Sequence, residues 1–384
     1  MLPEVMERSL GVAVVGFGWM GRVHTQAYVR VPHHFADAPA VRLVSVADDV
    51  PGRAEAAAKR YGFERSTEDW RELADDPGID AVSITAPNFL HREIGSAFAR
   101  AGKHIWIEKP VGLSADDARA IVGDVQVSVG FNYRNAPAVE RAKELIADGA
   151  IGAVTHARFR FLSDYAAHPD GALSWRFERA RGGNGVLGDL GAHGVDLIRY
   201  LLGEIRELVA DTAIFIPERP RPVGATAGHE RGSGAPGPVE NEDYFGSLLR
   251  MTSGARVTLD CSRVAVGEQN SYGFEIHGTR GALYWDFRRM GELGVAAGDN
   301  YQDEPAQTRF VGPPDGDFGA FQPGAGTPMA YDDLKVIEAA RFLRSIADGK
   351  AYGATLTDAI RSAEALDAMS RSAETNAWVK LQNR

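Results

Sequence analysis

Cysteine is almost missing from this chain: Cys261 is the single one among 384 residues. One cysteine excludes an intrachain disulfide and leaves almost no basis for a zinc site built on thiolates. Long apolar runs are missing as well, since none approaches the ~20 residues that a membrane-spanning helix needs. The first residues include Glu4 and Glu7 and lack the apolar stretch of a signal peptide. We therefore expect a cytoplasmic protein.

An excess of positive charge is also lacking. The chain has 42 lysines and arginines against 52 aspartates and glutamates, a formal net charge of −10. This balance gives no reason to expect a nucleic acid or an anionic membrane as a partner. It is compatible with an anionic cofactor, because backbone N–H groups can hold a pyrophosphate locally. The 44% hydrophobic and 24% charged residues are typical of globular proteins, and 384 residues indicate two domains.

Strand and helix signals alternate through the first third of the chain. Short apolar runs predict strands at 11–16, 41–47, 81–85, 103–108 and 126–130. Segments rich in helix-forming residues predict helices at 20–30, 52–61, 90–101 and 115–122. Strands that alternate with helices of this length indicate right-handed βαβ units around a parallel sheet. Residues 1–131 are therefore expected to form a Rossmann-type, dinucleotide-binding domain.

The alternation of predicted strands and helices ends after residue 132. A helix at 137–148 is followed by segments in which apolar and polar residues alternate, at 154–161, 243–251, 256–261, 272–276 and 282–287. Such alternation indicates a large, mostly antiparallel open sheet with one covered face. Irregular excursions at 217–238 and 298–328 interrupt the strands, and helices are predicted at 332–349 and 355–375. Residues 132–384 are thus expected to form an α+β domain, so that the whole chain is of the α/β class.

A glycine-rich turn joins the first predicted strand to the first helix, with the sequence Gly16-Phe17-Gly18-Trp19-Met20-Gly21. The GxGxxG pattern alone is weak in a chain with 43 glycines. The strand before it, the helix after it and an acid at the end of the next strand are the context of a dinucleotide-binding turn. Gly16 is expected to permit the tight turn, Gly18 the approach of the pyrophosphate, and Gly21 close packing of the helix on the strand.

Asp48 ends the second predicted strand, where it can accept hydrogen bonds from the adenosine ribose hydroxyls. It lies 27 residues beyond Gly21, and an insertion at 31–40 accounts for the extra length. A carboxylate here, reinforced by Asp49, repels the 2′-phosphate of NADP, although Arg53 can offset part of that repulsion. The expected cofactor is therefore NAD in preference to NADP.

Four motifs in a fixed order resemble one family, the glucose-fructose oxidoreductase / inositol dehydrogenase (Gfo/Idh/MocA) family. They are Val15–Gly21 with His24, Thr85–His91, Glu108-Lys109-Pro110, and Gly185–Asp196. Each motif could arise alone by chance, whereas all four in this order are specific. The resemblance implies an NAD-dependent oxidoreductase that oxidises a secondary hydroxyl of a sugar, an anhydrosugar or an inositol to the keto form. It also implies that residues 132–384 bind the substrate and form a homodimer or homotetramer through the exposed sheet.

A narrower likeness is to the levoglucosan dehydrogenase branch of that family, which oxidises a sugar hydroxyl at C3 with NAD. The segments that carry it are Leu173–Phe177, Ile216–Pro220 and Phe274–Thr279. Ser163 and Tyr165 stand where that branch has Gln and Trp, and the stretch between 122 and 126 is short for the family. The resemblance therefore does not transfer the identity of the substrate.

Lys109 directly follows a predicted strand end, where cofactor and substrate are expected to meet. A lysine on a loop is ordinarily only solvated, but its place in Glu108-Lys109-Pro110 after a buried strand favours a role in the reaction. Its ammonium can hydrogen-bond the reacting oxygen and stabilise developing alkoxide charge. The family likeness implies that the Lys109–Pro110 peptide bond is cis.

Asp189 and His193 are four residues apart, so that on a helix they share one face. By themselves they fit an exposed ion pair or a helix cap better than a catalytic pair. The resemblance favours His193 as the general base, a role that suits its ordinary pKa of ~6.5, and Asp189 as the group that binds a substrate hydroxyl. Asp196 is expected to be structural. A metal site that adds His156 is disfavoured, and no metal is expected.

Further residues are expected around the same chemistry. The candidate substrate contacts are Tyr133, Trp175 and Arg176, and packing between domains is an equally good explanation for each. The residues expected on the cofactor side are Asn88, His91 and Glu108.

Two other functions stay open on the sequence. One is an NAD-dependent glycosidase that oxidises its sugar transiently and then reduces it again, so that no net NADH appears. The other is a sugar or NAD sensor on the same fold, without catalysis. Lys109 and His193 count against a sensor, because a sensor needs no proton relay.

Overall fold

The computed structural model describes residues 9–223 and 230–382. The predicted lack of a signal peptide concerns residues 1–8, which lie outside the described residues, and so do residues 224–229 of the first predicted excursion.

Strands and helices alternate from residue 10 to residue 129, as predicted. The elements are β1 (Leu10–Val15), α1 (Trp19–His34), β2 (Val41–Ala47), α2 (Arg53–Tyr61), β3 (Arg65–Thr67), β4 (Ala81–Ile84), α3 (His91–Arg100), β5 (His104–Ile107), α4 (Ala115–Arg119) and β6 (Val127–Val129). The three-residue strand β3 was not predicted, because it offers no apolar run. Helix α1 continues four residues beyond its predicted end, through Pro32, and takes up part of the predicted insertion.

These strands form one parallel sheet in the order β3-β2-β1-β4-β5-β6. Residues Ala81–Ile84 of β4 are wholly buried, which explains why such strands have continuous apolar sequences. Because β1 pairs with β2 on one side and with β4 on the other, the order of the strands reverses at β1. Ligands of open α/β sheets bind at the carboxyl ends of the strands beside such a reversal. The glycine-rich turn follows β1 at this position.

The rest of the chain adds further helices and a second set of strands. These elements are α5 (Pro137–Ala147), β7 (Val154–Leu162), α6 (Arg179–Gly182), α7 (Ala192–Leu202), β8 (Ile205–Ala213), β9 (Glu218–Pro220), β10 (Pro236–Pro238), β11 (Tyr244–Met251), β12 (Arg256–Ser262), β13 (Ser271–Gly278), β14 (Gly281–Asp286), β15 (Glu292–Ala297), β16 (Gln307–Phe310), α8 (Tyr331–Asp348), α9 (Leu356–Thr375) and β17 (Val379–Lys380).

A nine-stranded sheet dominates this part, in the order β16-β15-β14-β13-β7-β12-β11-β8-β17. Neighbouring described strands are antiparallel except β7 and β12, which are parallel. On β11, Phe245 and Leu249 are fully buried whereas Leu248 is 38% exposed, so alternate residues face a covered side. The predicted fold class, a parallel Rossmann sheet followed by a large and mostly antiparallel sheet, is confirmed.

Both predicted excursions contain strands. In the first, β9 and β10 pair with each other; in the second, β16 pairs with β15 and extends the large sheet by one strand. All four residues of β16 are exposed, and for that reason no apolar pattern marks it in the sequence.

The described residues form two compact units. The first unit is built from residues up to Gly112 together with Asp116–Asn132 and Ala330–Ile360. The second unit is built from Leu113–Ala115, Tyr133–Met329 and the residues from Arg361 onward. The predicted change of domain at residue 132 is close to the change of unit at Tyr133. A single boundary does not anticipate that α8, near the end of the chain, belongs to the first unit.

Candidate active site

The glycine-rich turn has the geometry that the sequence predicts. Gly16 has a φ of +87°, and a Cβ atom on it would lie 2.6 Å from the backbone nitrogen of Ala86. A Cβ atom on Gly21 would lie 2.3 Å from the carbonyl oxygen of Gly16, so only glycine lets α1 pack this closely on the turn. At Gly18, by contrast, no heavy atom of the described residues other than Gly18 itself and its two chain neighbours lies within 4 Å of the Cβ position. This open space at the N-terminus of α1, where backbone N–H groups point outward, fits a pyrophosphate.

Asp48 secures the turn from the neighbouring strand. Its Oδ2 accepts a hydrogen bond of 2.6 Å from the backbone N–H of Phe17, and its Oδ1 accepts one of 3.0 Å from Val50. The guanidinium of Arg53 pairs with the same carboxylate at 3.2 Å. Asp48 is only 7% exposed, while about a third of the Arg53 side chain faces solvent. The carboxylate thus holds the turn and pairs with Arg53.

Two side chains of the turn contact the start of α8. The exposed indole of Trp19 stacks on the ring of Tyr331, with centroids 5.4 Å apart and planes 23° apart. The Tyr331 hydroxyl donates to the sulfur of Met20 at 3.9 Å. Sequence reasoning missed Tyr331, because it lies 310 positions beyond Gly21, the last residue of the turn, and no local signal connects the two.

His91 connects the segments that follow β4 and β5. Its ring nitrogens lie 2.8 Å from the carbonyl oxygen of Ala86 and 2.9 Å from that of Pro110. The ring is fully buried, and burial lowers the pKa of His91 although both carbonyls favour the protonated form. Asn88, in the turn that precedes α3, is half-buried. His91 therefore holds the two loops together from inside the first unit.

The Lys109–Pro110 peptide bond is cis, as the resemblance implied, and the Lys109 side chain is half-buried. The preceding residue, Glu108, points into the interior of the first unit. Its carboxylate accepts hydrogen bonds from Lys335 Nζ at 2.5 Å and from His24 Nε2 at 3.0 Å. Glu108 was predicted on the cofactor side; its carboxylate is held by Lys335 and His24.

The buried cluster consists of Glu108, Lys335, His24, Glu338 and Trp106. Lys335 also pairs with Glu338 at 2.7 Å, and the His24 ring stacks on Trp106 with centroids 3.6 Å apart. Burial lowers the pKa of His24 to about 4, so its imidazole is neutral at neutral pH. Burial raises the pKa of Glu338 to about 7. For Glu108 burial also acts to raise the pKa, but Lys335 and then His24 outweigh it and hold the pKa well below its ordinary value.

In the second unit, Asp189 lies in a wide, π-helical turn (Leu187–Gly191) that leads into α7, the helix of His193. Turns of this type are frequent at functional sites. Asp189 Oδ2 accepts a hydrogen bond of 2.8 Å from the hydroxyl of Tyr165. The His193 ring contacts Tyr133 edge to face at 4.7 Å, and its backbone carbonyl accepts a 2.9 Å hydrogen bond from Tyr272. The second unit therefore presents Asp189, His193 and Tyr133 on adjoining elements.

The remaining candidates differ in their surroundings. Trp175 and Arg176 lie in one short turn, where the Arg176 guanidinium is 4.5 Å from the Trp175 ring. Asp196 accepts two hydrogen bonds from the Arg134 guanidinium, at 2.7 and 2.5 Å, which agrees with the structural role expected for it. His156 stacks on His277, with ring centroids 4.7 Å apart.

Two features are absent from the described ranges 9–223 and 230–382. No group of three or more His, Cys, Asp or Glu side chains in them could hold a metal ion. Nor does any helix in them have the length and apolar character to cross a membrane.

A glycine-rich turn at the strand reversal of a parallel sheet, followed by a second domain, is typical of a nicotinamide-dependent oxidoreductase. Residues 10–126 match the oxidoreductase family with an NAD-binding Rossmann fold, and residues 139–284 match the GFO/IDH/MocA C-terminal domain. The chain belongs to the Gfo/Idh/MocA family of NAD-dependent oxidoreductases. The predicted family, enzyme class and cofactor are confirmed.

Two curated relatives and one solved structure show how close the likeness is. The chain is 38% identical to levoglucosan dehydrogenase of Pseudarthrobacter phenanthrenivorans, over 97% of this chain and 98% of that protein. It is 33% identical to inositol 2-dehydrogenase of Rhizobium meliloti, over 78% of this chain and 82% of that protein. A solved structure of levoglucosan dehydrogenase in complex with NADH and levoglucosan superposes with a TM-score of 0.91 and 36% identity, over 98% of this chain and all of that chain.

Proposed function

We propose that this protein oxidises a secondary hydroxyl of a sugar, an anhydrosugar such as levoglucosan, or an inositol to a ketone, with NAD as the oxidant. The observation that carries the proposal is the full-length likeness to levoglucosan dehydrogenase, whose solved complex contains NADH and levoglucosan. The open space at Gly18 and the Asp189-His193 pair on the turn and helix of the second unit support it.

On the cofactor side, the turn that contains Phe17, Trp19 and Met20 between its three glycines would hold the pyrophosphate. Asp48 would receive the adenosine ribose. Asn88 and His91 would shape the loops beside the nicotinamide, with His91 acting through its two carbonyl contacts. Glu108 would act through the buried cluster rather than by touching the cofactor, because its carboxylate is held by Lys335 and His24. NAD, when bound, accepts the hydrogen and electron pair that leave the substrate carbon.

On the substrate side, His193 would take the hydroxyl proton as general base, and the Lys109 ammonium would stabilise the charge that develops on the oxygen. Asp189 would accept a hydrogen bond from a neighbouring substrate hydroxyl. Tyr133, Trp175 and Arg176 would contact the sugar ring; of these, Tyr133 packs directly on the His193 ring.

The proposal is tested by following NADH absorbance with NAD and a panel of levoglucosan, L-sorbose, myo-inositol, scyllo-inositol and common hexoses. Net NADH with at least one of them is expected. Lys109→Met and His193→Gln should each lower kcat by about 100-fold or more, the usual scale for losing general acid–base catalysis. Lys59→Met and His168→Gln, which change an exposed lysine and an exposed histidine, serve as matched controls.

The outcomes separate the functions that the sequence left open. Substrate consumption without net NADH would replace the dehydrogenase by a glycosidase that uses NAD transiently. Binding of a sugar without any turnover would indicate a sensor. Full activity in both variants would overturn the roles given to Lys109 and His193.

The predicted partners are a small-molecule substrate and further copies of this chain. A sugar or polyol is consistent with the relatives. We propose in addition a homodimer or homotetramer, which light scattering of the purified chain tests directly; a mass of one chain, 41.4 kDa, would overturn it. A cytoplasmic location, away from nucleic acids and membranes, stays a prediction from the sequence.

A further inference from the structure

Tyr165 follows the end of β7 in a segment that is held on both sides. The Ser163 N–H donates to the carbonyl of Ser262 at 2.8 Å, and the Ala166 N–H donates to the carbonyl of Arg263 at 3.0 Å. These two bonds continue the pairing of β7 with β12 beyond the strands themselves. The backbone of Tyr165 is therefore fixed by the sheet, although it lies in a loop.

The Tyr165 ring packs against a small apolar cluster of the second unit, made of Ala166, Leu173, Phe177 and Val239. Two buried guanidinium groups lie against Phe177, that of Arg219 at 4.4 Å and that of Arg263 at 4.5 Å.

Both arginines are themselves held in place. Arg263 pairs with the buried Asp243 at 2.8 Å, and Arg219 donates to the carbonyls of Ala166 and His168 at 2.5 and 2.9 Å. A ring on this support has little freedom to turn, so the position of its hydroxyl is defined as well.

The hydroxyl of Tyr165 meets Asp189 at 2.8 Å, on Oδ2. Burial raises the pKa of Tyr165 well above 10, and the Asp189 charge raises it further. The phenol is therefore a permanent donor at any pH used in an assay, and the carboxylate is the acceptor. Because one carboxylate oxygen is held in this way, rotation of the Asp189 carboxylate about its Cβ–Cγ bond is restricted, and so is the direction of its Oδ1.

We propose that Tyr165 is a positioning residue that orients the Asp189 carboxylate and so makes the enzyme select substrates that offer a hydroxyl hydrogen to it. The inference rests on the proposed function, in which Asp189 accepts a hydrogen bond from a substrate hydroxyl. Sites that orient an acceptor toward the substrate discriminate against analogues that lack the matching hydroxyl, because those analogues do not make the hydrogen bond.

Tyr165→Phe tests the proposal, since it removes the hydroxyl and keeps the ring on its apolar support. We expect kcat/KM for the sugar to fall by about 10-fold or more, the scale of a lost hydrogen bond to a charged group. The dissociation constant for NAD and the unfolding midpoint should stay close to those of the wild type. The matched control is Tyr244→Phe, because Tyr244 also hydrogen-bonds an aspartate, Asp260. On β11 Tyr244 alternates with the buried Phe245 and so faces the other side of the sheet.

A double-mutant cycle with Asp189→Asn separates positioning from general support of the fold. If Tyr165 acts through Asp189, Tyr165→Phe should change kcat/KM by less than about 2-fold once Asp189 is Asn, because the pair no longer couples. Losses that multiply in the double variant, or an unchanged kcat/KM in Tyr165→Phe while Asp189→Asn is impaired, would overturn the positioning role and leave the proposed function intact. Full activity of Asp189→Asn would overturn the assignment of Asp189 in the proposed function, and the role of Tyr165 with it.

Discussion

The Lys335 ammonium lies 2.5 Å from Oε1 of Glu108, although the two residues are 227 positions apart in the chain. Lys335 is completely buried, and Glu108 immediately precedes Lys109, the lysine to which we assign the reacting oxygen. The ion pair thus fixes the end of β5 from the side of α8. Lys335, in the last part of the chain, therefore stabilises the backbone next to Lys109, the proposed catalytic residue.

Lys335→Met should be strongly destabilising. The substitution keeps an apolar chain of similar length and leaves the carboxylate of Glu108 buried without its cation. Removing one partner of a buried ion pair costs about 3–5 kcal/mol, which urea unfolding would show as a lower midpoint. The control on the same helix is Arg344→Met, whose partner Asp37 is 69% exposed. A surface pair of that kind contributes less than about 1 kcal/mol. Equal losses in the two variants would contradict the account of Lys335.

Glu338→Gln should change how stability depends on pH. The pKa of Glu338 is raised from 4.5 to about 7 in the folded protein, so the folded state binds the extra proton. Its contribution to stability is full below pH 4.5 and is lost as the pH rises through about 7. The free energy of unfolding of the variant, relative to wild type, should therefore increase from pH 5 to pH 7, by at most about 1.4 kcal/mol per pH unit.

The variant has to be compared with the wild type, because the contribution of His24 to stability changes with pH in the opposite direction. The pKa of His24 is lowered from 6.5 to about 4, so its contribution is present above pH 6.5 and is lost as the pH falls. In the wild type the two effects partly cancel, whereas the difference between variant and wild type isolates Glu338. A difference that stays constant from pH 5 to pH 7 would contradict the raised pKa of Glu338.

Gly18→Ala and Gly21→Ala should have different effects. A methyl group at Gly18 enters the open space, so the unfolding midpoint should hardly change, while the dissociation constant for NAD should rise by about 10-fold or more, the equivalent of ~1.4 kcal/mol. At Gly21 the methyl group meets the carbonyl of Gly16, so stability and NAD binding should both fall. Calorimetry of NAD binding beside thermal unfolding measures both. Tight NAD binding by Gly18→Ala would place the pyrophosphate elsewhere.

Arg53 and Asp48 should control the choice between NAD and NADP. Arg53→Ala is expected to raise the KM for NADP more than that for NAD, because it removes the cation nearest the expected 2′-phosphate. Asp48→Asn is expected to act in the opposite direction, since an amide oxygen still accepts the Phe17 N–H but no longer repels a phosphate. Lys59→Ala, an exposed cation of the same helix, is the control. An unchanged ratio of the two KM values in both variants would remove Asp48 and Arg53 from cofactor selection.

The parts of the molecule that could be predicted from sequence are those with a local pattern. The buried strands β1, β2 and β4 are apolar runs, and the turn after β1 needs glycines at fixed spacing, so both are visible in short windows. No local pattern predicts that Lys335 is buried, because a lysine in an amphipathic helix normally faces solvent. Its burial follows from pairing with Glu338 on the same helix and with Glu108, which lies 227 positions away and so outside any local window.

The same reason explains the gaps in the site. Asp189 and His193 share a local spacing that could be recognised, whereas the hydrogen bond from Tyr165 joins a loop to a turn 24 residues later. The strand β16 has only exposed residues, so that its place beside β15 is set by backbone pairing and not by side-chain pattern.

Because α8 belongs to the first unit, this unit cannot finish folding early in synthesis. The ribosome synthesises the residues of β1 to β6 long before it reaches Lys335. Until then Glu108 lacks the Lys335 ammonium as its partner, and Trp106 lacks the neighbouring Phe342 ring. Domains generally fold as units during synthesis, the N-terminal one first. Here the NAD-binding unit can be completed only when nearly all of the chain has been made, so a gene fragment that stops at residue 131 should yield an unstable polypeptide.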